Sequence, residues 1–332
     1  MRLILLAIAM LAIVPGCIEG PRCMISTGYK EKKLISKELP VDPRGALEVE
    51  NGAGTIEISR SIKDKNQLKV EAYKRAETEA DLARVEPKVT VAHQSAIVRT
   101  KYTNRSVNAV IDYTIYTPST ITLKNIQTGS GSVCINEIEG DMKVQTGSGR
   151  IDIANAGGAI DAHTGSGAII ISQNSQAKGA IRARTSSGRI DINNAVGPID
   201  AQVGSGSIHI LCADHAEGAI KASTGSGRIE IYQSIGNVWA TTGSGTIIVQ
   251  PAQLPDKGTV ELKTSSGRIE LRLPKKTHAS ISVMAPRGRL HSEFFIKDQQ
   301  LERGQITGKI GKGGDLNIVI HSATGNITLV KM

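Results

Sequence analysis

Eight glycine-rich turns are the first candidates for chemistry in this chain. An element of the Thr-Gly-Ser-Gly type closes at Gly131, Gly149, Gly167, Gly188, Gly206, Gly227, Gly245 and Gly267. Backbone N–H groups in such turns can cradle a phosphate. A phosphate loop, however, hands its anion to a Lys-Ser or Lys-Thr pair and to a helix N-terminus, and none of the eight is followed by either. Glycine therefore serves geometry at these positions, supplying positive φ and tight corners. Calcium-binding Gly-rich coils carry an Asp within a nine-residue period. Here the period is 18 to 22 residues and the Asp trails an Arg by two, so no cofactor and no metal is assigned to the turns.

One segment has the residue types of a metal site, His209-Ile-Leu-Cys212-Ala-Asp-His215. On a strand His209 and Cys212 point to opposite faces, so a shared ion would require a bend, and no metal is assigned here either. Polysaccharide lyases and hydrolases need convergent carboxylates, or Arg and Lys, beside a cleft. In this chain the acids of the strands recur at even intervals instead of converging. No catalytic residue is assigned; the reading is of a non-enzyme, with a β-helical carbohydrate-active enzyme as its rival. Sugar binding favours aromatic platforms, and in a chain with one Trp and two Phe the available pair is Trp239 with Tyr232. These two are the candidate contact residues.

The elements that position these groups follow from the spacing. Successive turns are 18, 18, 21, 18, 21, 18 and 22 residues apart, and self-similarity at a fixed short period marks a solenoid, in which each coil buries its apolar face against its neighbours. Each period holds two short alternating runs, such as Arg150-Ile-Asp-Ile153 and Ala159-Ile-Asp-Ala162, and a period of two predicts strands with one buried face. Stacked, they give an inward column Val133, Ile151, Ile169, Ile190, Ile208, Ile229, Ile247, Ile269, and a second two residues on. The outward column carries Arg150, Arg189, Arg228 and Arg268 at every second coil, each followed two residues later by Asp or Glu. At about 4.8 Å per coil, like charges stand roughly 10 Å apart and each Arg can face its own strand's acid. The return strand runs Lys143, Asp161, Arg182, Asp200, Lys221, Trp239, Glu261, nearly strict alternation of sign. The simplest role for these charges is solubility, with a charged groove for an anionic glycan as the functional alternative. The eight coils predict a rod about 35–40 Å long.

The N-terminus adds a destination. Arg2, an apolar run from Leu3 to Val14, and Pro15-Gly16-Cys17 read as an export signal too short to span a bilayer. Val14, Gly16 and Cys17 stand where a bacterial lipobox wants an aliphatic residue, a small residue and the lipidated Cys; Pro15 departs from that pattern. A multiply acylated Cys17 suffices for stable anchoring, and Ile18 in place of Asp favours outer-membrane placement. Cys23, Cys134 and Cys212 remain, an odd number, which leaves at least one thiol unpaired within a monomer. Cys134 and Cys212 fall four coils apart, about 19 Å, beyond the reach of a disulfide. Formal charge is +9, yet residues 128–267 carry 10 basic and 12 acidic residues; a near-neutral repeat excludes a nucleic-acid-binding stripe. The expected organisation is a signal peptide over 1–16, an anchor linker over 17–44, an N-terminal β section over 45–127, regular coils over 128–284, and a C-terminal loop, last coil and cap over 285–332.

Taken together, the TGSG-x-I-x-I coils, the early "VENGAGTIEIS", the strand "VIDYTIYTPSTITL" and the closing "GKIGKGGDLNIVIHSATGNITLVK" resemble the bacterial putative-adhesin family of β-strand-repeat proteins, a domain of unknown function. The resemblance spans roughly residues 45–332 and implies an all-β parallel β-helix or β-roll at the cell surface or in the periplasm, with no catalytic residues to carry over. The expected protein is a lipid-anchored envelope module, adhesin-like or scaffolding. Its partners are the membrane, through the N-terminal lipid, and an envelope protein or glycan. It is monomeric or weakly self-associating, and a self-assembling rod is a further alternative.

Overall fold

Alternating β-branched residues punctuated by Gly corners produce one coil per period, stacked in register. The structure, a computed structural model, describes residues 31–332 apart from 62–65, 93, 104–106, 175–176, 214–215 and 217. The export signal, Cys17, Cys23 and His215 lie outside the described residues. The described chain is a solenoid of 27 strands with a single short helix, Glu79–Ala83. Val133, Ile151, Ile169, Ile190, Ile208, Ile229, Ile247 and Ile269 form one parallel ladder, each the direct neighbour of the next. A second parallel ladder runs up the return strands through Met142, Ile160, Ile181, Ile199, Ile220, Val238 and Val260. The inward side chains of both ladders belong to a single apolar core. Burying one such side chain stabilises by about 1.5–3 kcal/mol, so two aliphatic columns replace the aromatic core that this composition lacks.

The Thr-Gly-Ser-Gly corner divides its work by position. The closing glycines hold φ between +135° and +148°; Gly149, at +147°, is typical. A Cβ on Gly149 would stand 2.1 Å from the Gly131 carbonyl oxygen of the preceding coil, so only glycine lets the coils approach to ladder distance. The threonine is a strap. Thr164 Oγ1 donates to the Gly149 carbonyl at 3.1 Å, and Thr146 Oγ1 to that of Gly131 at 2.9 Å; Thr128, Thr185, Thr224 and Thr242 repeat the bond one coil at a time. Val203 occupies the strap position opposite Thr185 and has no hydroxyl to give. These turns are joints between coils, with closing-glycine N–H groups such as those of Gly131 and Gly149 and the strap hydroxyls bonded within the stack.

At both ends the order of coils in space departs from their order in the chain. At the N-terminal end the strands are β1 (Glu31–Pro40), β2 (Ala46–Ala53), β3 (Ile56–Arg60), β4 (Gln67–Ala76), β5 (Val85–Ala92), β6 (Ser95–Tyr102), β7 (Ala109–Thr117), β8 (Thr122–Ser130) and β9 (Val133–Asn136). β2 and β3 form an early coil, stacked on β8 and β9 through Asn51 opposite Thr128 and Ile56 opposite Val133. Their other side is covered by β6 and β7, with Leu47 opposite Ala96 and Ile56 opposite Tyr113. The first coil in sequence is thus clamped between later ones, and antiparallel β1, β4 and β5 close the end. The C-terminal end mirrors this. Strands Asp315–Ser322 and Ile327–Lys331 lie between Lys257–Ser266 and Ile269–Leu273 on one side and Ala279–Met284 and Leu290–Ser292 on the other. A hairpin, Ile296–Glu302 with Gln305–Ile310, covers the outermost edge. Its outer strand carries Lys297 and is kinked at Asp298, whose φ is +50°; a charged, bulged edge resists pairing with another chain.

Candidate functional site

With the turns consumed by stacking, the outward columns are what the protein offers to a partner. On the face of the strands that follow each corner, Arg150 pairs with Asp152 at 2.5 Å, Arg189 with Asp191 at 2.8 Å and Arg228 with Glu230 at 3.2 Å. The fourth pair differs from the expected one. Glu270 is taken by Arg272 at 2.7 Å instead of by Arg268, because Arg272 also donates to Gln250 Oε1 one coil below, at 3.2 Å, and so holds two acceptors at once. These pairs are solvated and contribute about 0–1 kcal/mol each; they neutralise this face.

The return face is different. Lys143, Asp161, Arg182, Asp200, Lys221, Trp239 and Glu261 occupy consecutive rungs of one column. Asp200 accepts from Arg184 at 3.1 Å and lies 3.7 Å from Arg182. Among the described residues neither Lys143 nor Asp161 closes an ion pair, although they are direct neighbours. On the near side of the column the residues are small, Ala159, Ala180, Pro198 and Ala219, and the step between small and charged side chains makes an open trough of about 710 Å³ reaching from Lys124 to Lys221 across six coils. Sequence reading identifies the charged column but not the trough. The small residues stand immediately before the buried Ile of each return strand, and that pattern becomes meaningful once the register is fixed.

The two candidate contact residues fall on different ladders. Trp239 sits directly above Lys221 on the return face, with the Lys221 ammonium 5.7 Å from the ring centroid, within cation–π range. Tyr232 lies on the other ladder between Leu211 and Gln250, where its ring is 5.6 Å from that of His209. Partial burial, then the Glu230 carboxylate, raise its phenol above the ordinary range. The structure therefore does not join Trp239 and Tyr232 into one platform; only Trp239 shares a column with the trough. His209 turns outward while Cys212 is buried, and burial pushes the Cys212 thiol up to about 12, so it carries no thiolate at neutral pH. Cys134 is on the outward column beside Glu57 and Asp152, four rungs below His209, well away from Cys212. Among the described residues no group of three or more His, Cys, Asp or Glu is placed to hold a metal ion, and no helix is long and apolar enough to cross a membrane.

Comparison with known proteins follows the same lines. No curated protein matches the chain. Among solved structures, the chain is similar to a putative adhesin from Bacteroides fragilis, with 12% identity and a TM-score of 0.29 over 90% of this chain and 97% of that one. It is also similar to a putative cell adhesion protein from Clostridium sporogenes, with 11% identity and a TM-score of 0.24 over 90% of this chain and all of that one. A putative adhesin from Parabacteroides distasonis gives 10% identity and a TM-score of 0.26, covering 90% and 97%. Values this low carry no argument about activity. Residues 215–330, the last coils with the C-terminal cap, match the family described as Toastrack DUF4097, a domain of unknown function, in agreement with the resemblance carried by the repeats.

Proposed function

We propose that the chain is a non-enzymatic module of the bacterial cell envelope, anchored through a lipid on Cys17 at the outer membrane, whose solenoid presents the return face to an envelope protein or glycan as an adhesin or scaffold. The observation that carries this reading is the trough: a binding surface spread across six coils, with charges at regular intervals. Acid–base catalysis draws its groups together at one bond, and this arrangement suits an elongated partner instead. The clamped coil order and the kinked outer strand at the C-terminal end favour a capped monomer over a self-assembling rod. The test is a pulldown of envelope fractions and immobilised glycans, run beside an assay for polysaccharide turnover; a retained partner without turnover is expected, and turnover without a partner overturns the reading. Anchoring is separate: Cys17→Ser should release the protein from membranes, and unchanged retention counts against the lipid.

A further inference from the structure

The charges of the trough specify more than an elongated partner. We infer that it takes a linear glycan in which an acidic sugar alternates with one offering only hydroxyl and amide donors, an inference that rests on the interaction reading above. Lys143, Arg182 and Lys221 recur at every second rung, with Asp161 and Asp200 on the rungs between them. At about 4.8 Å per rung, cations are roughly 10 Å apart along the rod, and from Asp161 to Lys221 each rung is fixed by parallel pairing on both sides. An extended β-linked disaccharide repeats over nearly that length. One carboxylate per disaccharide therefore meets a cation at each repeat, and the intervening sugar meets an Asp.

The chemistry of the rungs sorts possible chains. Lys and Arg only donate, and ionised Asp only accepts, so the complement to this column is acceptor, donor, acceptor, donor. A chain with a carboxylate on every sugar sets an anion against Asp161, between two cationic rungs, whereas Asp200 is already held by Arg184 and Arg182. A neutral chain forgoes charge-assisted bonds to Lys143 and Arg182. The Asp161 carboxylate, which has no ion pair among the described residues, is the donor-seeking rung. Beyond Lys221 the column continues into Trp239, an aromatic face of the kind sugar rings stack on. The small side chains of Ala159, Ala180, Pro198 and Ala219 let a flat ring approach the sheet.

The experiment is calorimetric titration of the protein with three probes of matched length: hyaluronan oligosaccharides, in which glucuronate alternates with N-acetylglucosamine; oligogalacturonate, charged on every sugar; and neutral chito-oligosaccharides. Hyaluronan should bind roughly ten-fold or more tightly than either of the others, and weaken as salt is raised. Lys143→Ala, Arg182→Ala and Trp239→Ala should each weaken it several-fold, while Asp161→Asn should narrow the preference over oligogalacturonate. Equal or tighter binding of oligogalacturonate, indifference to these substitutions, or no saturable binding of hyaluronan overturns the inference. If envelope material is nonetheless retained through the return face, the failure belongs to the glycan assignment and the interaction reading stands.

Discussion

Replacing Gly149 by Ala should do far more damage than replacing Gly304, although both glycines hold positive φ, +147° and +82°. At Gly304 the nearest atom to an added Cβ is 3.4 Å away, so only the conformational penalty applies, about 1–2 kcal/mol. At Gly149 the Cβ meets the Gly131 carbonyl oxygen at 2.1 Å, and the coils must separate by about 1.3 Å to reach the 3.4 Å of ordinary contact. That shift stretches the bonds from Gly131 N to Ser148 O and from Val133 N to Arg150 O, both 2.9 Å, past hydrogen-bonding range. Two bonds at about 0.5–1.5 kcal/mol each, added to the conformational term, give about 2–5 kcal/mol. With an unfolding entropy of about 2.1 cal/mol/K per residue over roughly 300 residues, that is a fall in Tm of about 3–8 °C against about 2–3 °C for Gly304→Ala. Thermal unfolding followed by circular dichroism reads the difference. Hydrogen exchange should place the loss in Val133–Asn136 and Ile151–Ala156. If Gly149→Ala costs no more than Gly304→Ala, the corner is not a steric joint and the account of the repeat is wrong.

Other perturbations follow from the same stack. Val203→Thr restores the missing strap to the Gly188 carbonyl and should add about 0.5–1 kcal/mol, whereas Thr224→Val should remove a similar amount; a Val203→Thr protein no more stable than the parent contradicts the strap. Gln233 holds φ of +60° at the corner that Asn155 and Asn194 occupy at +54° and +56°, so Gln233→Asn should gain about 0.5–1 kcal/mol in chemical denaturation, since Asn tolerates this region better. Burial raises the Cys212 thiol from 9.0 to about 12 and the Tyr113 phenol from 10.0 to about 12. Both keep their protons in the folded state after the unfolded chain has lost them, so stability falls as pH rises from about 9 to about 12. Denaturation midpoints across that range should show the decline, smaller in Cys212→Ala; a flat profile refutes it.

The solenoid was legible because its signal is columnar. Ile151, Ile169 and Ile190 announce their stacking by position after a glycine, and the Arg150–Asp152 and Arg189–Asp191 pairs follow from a period of two. Coil order at the ends was not legible: nothing in β2 and β3 records that β6 and β7 turn back to cover them, because pairing partners beyond an excursion are chosen by the shape of the end. Glu270 escaped for a local reason, the second acceptor that Gln250 offers Arg272 from the coil below. Trp239 and Tyr232 are seven residues apart, near in sequence, yet a corner between them sends them to separate ladders. The trough required three-dimensional register, since Ala159, Ala180, Pro198 and Ala219 look like ordinary loop residues until they are stacked.

The central claim, that the return face carries the interaction, is tested by comparing two charge inversions. One replaces Lys143, Arg182 and Lys221 with Glu on the return face. The other replaces Arg150, Arg189 and Arg228 with Glu on the opposite face, where the lost ion pairs are solvated and cost little. Retention of envelope material, measured for both at equal salt and with folding verified by circular dichroism, should collapse for the first protein and persist for the second. Equal retention by the two, or loss confined to the second, contradicts the account.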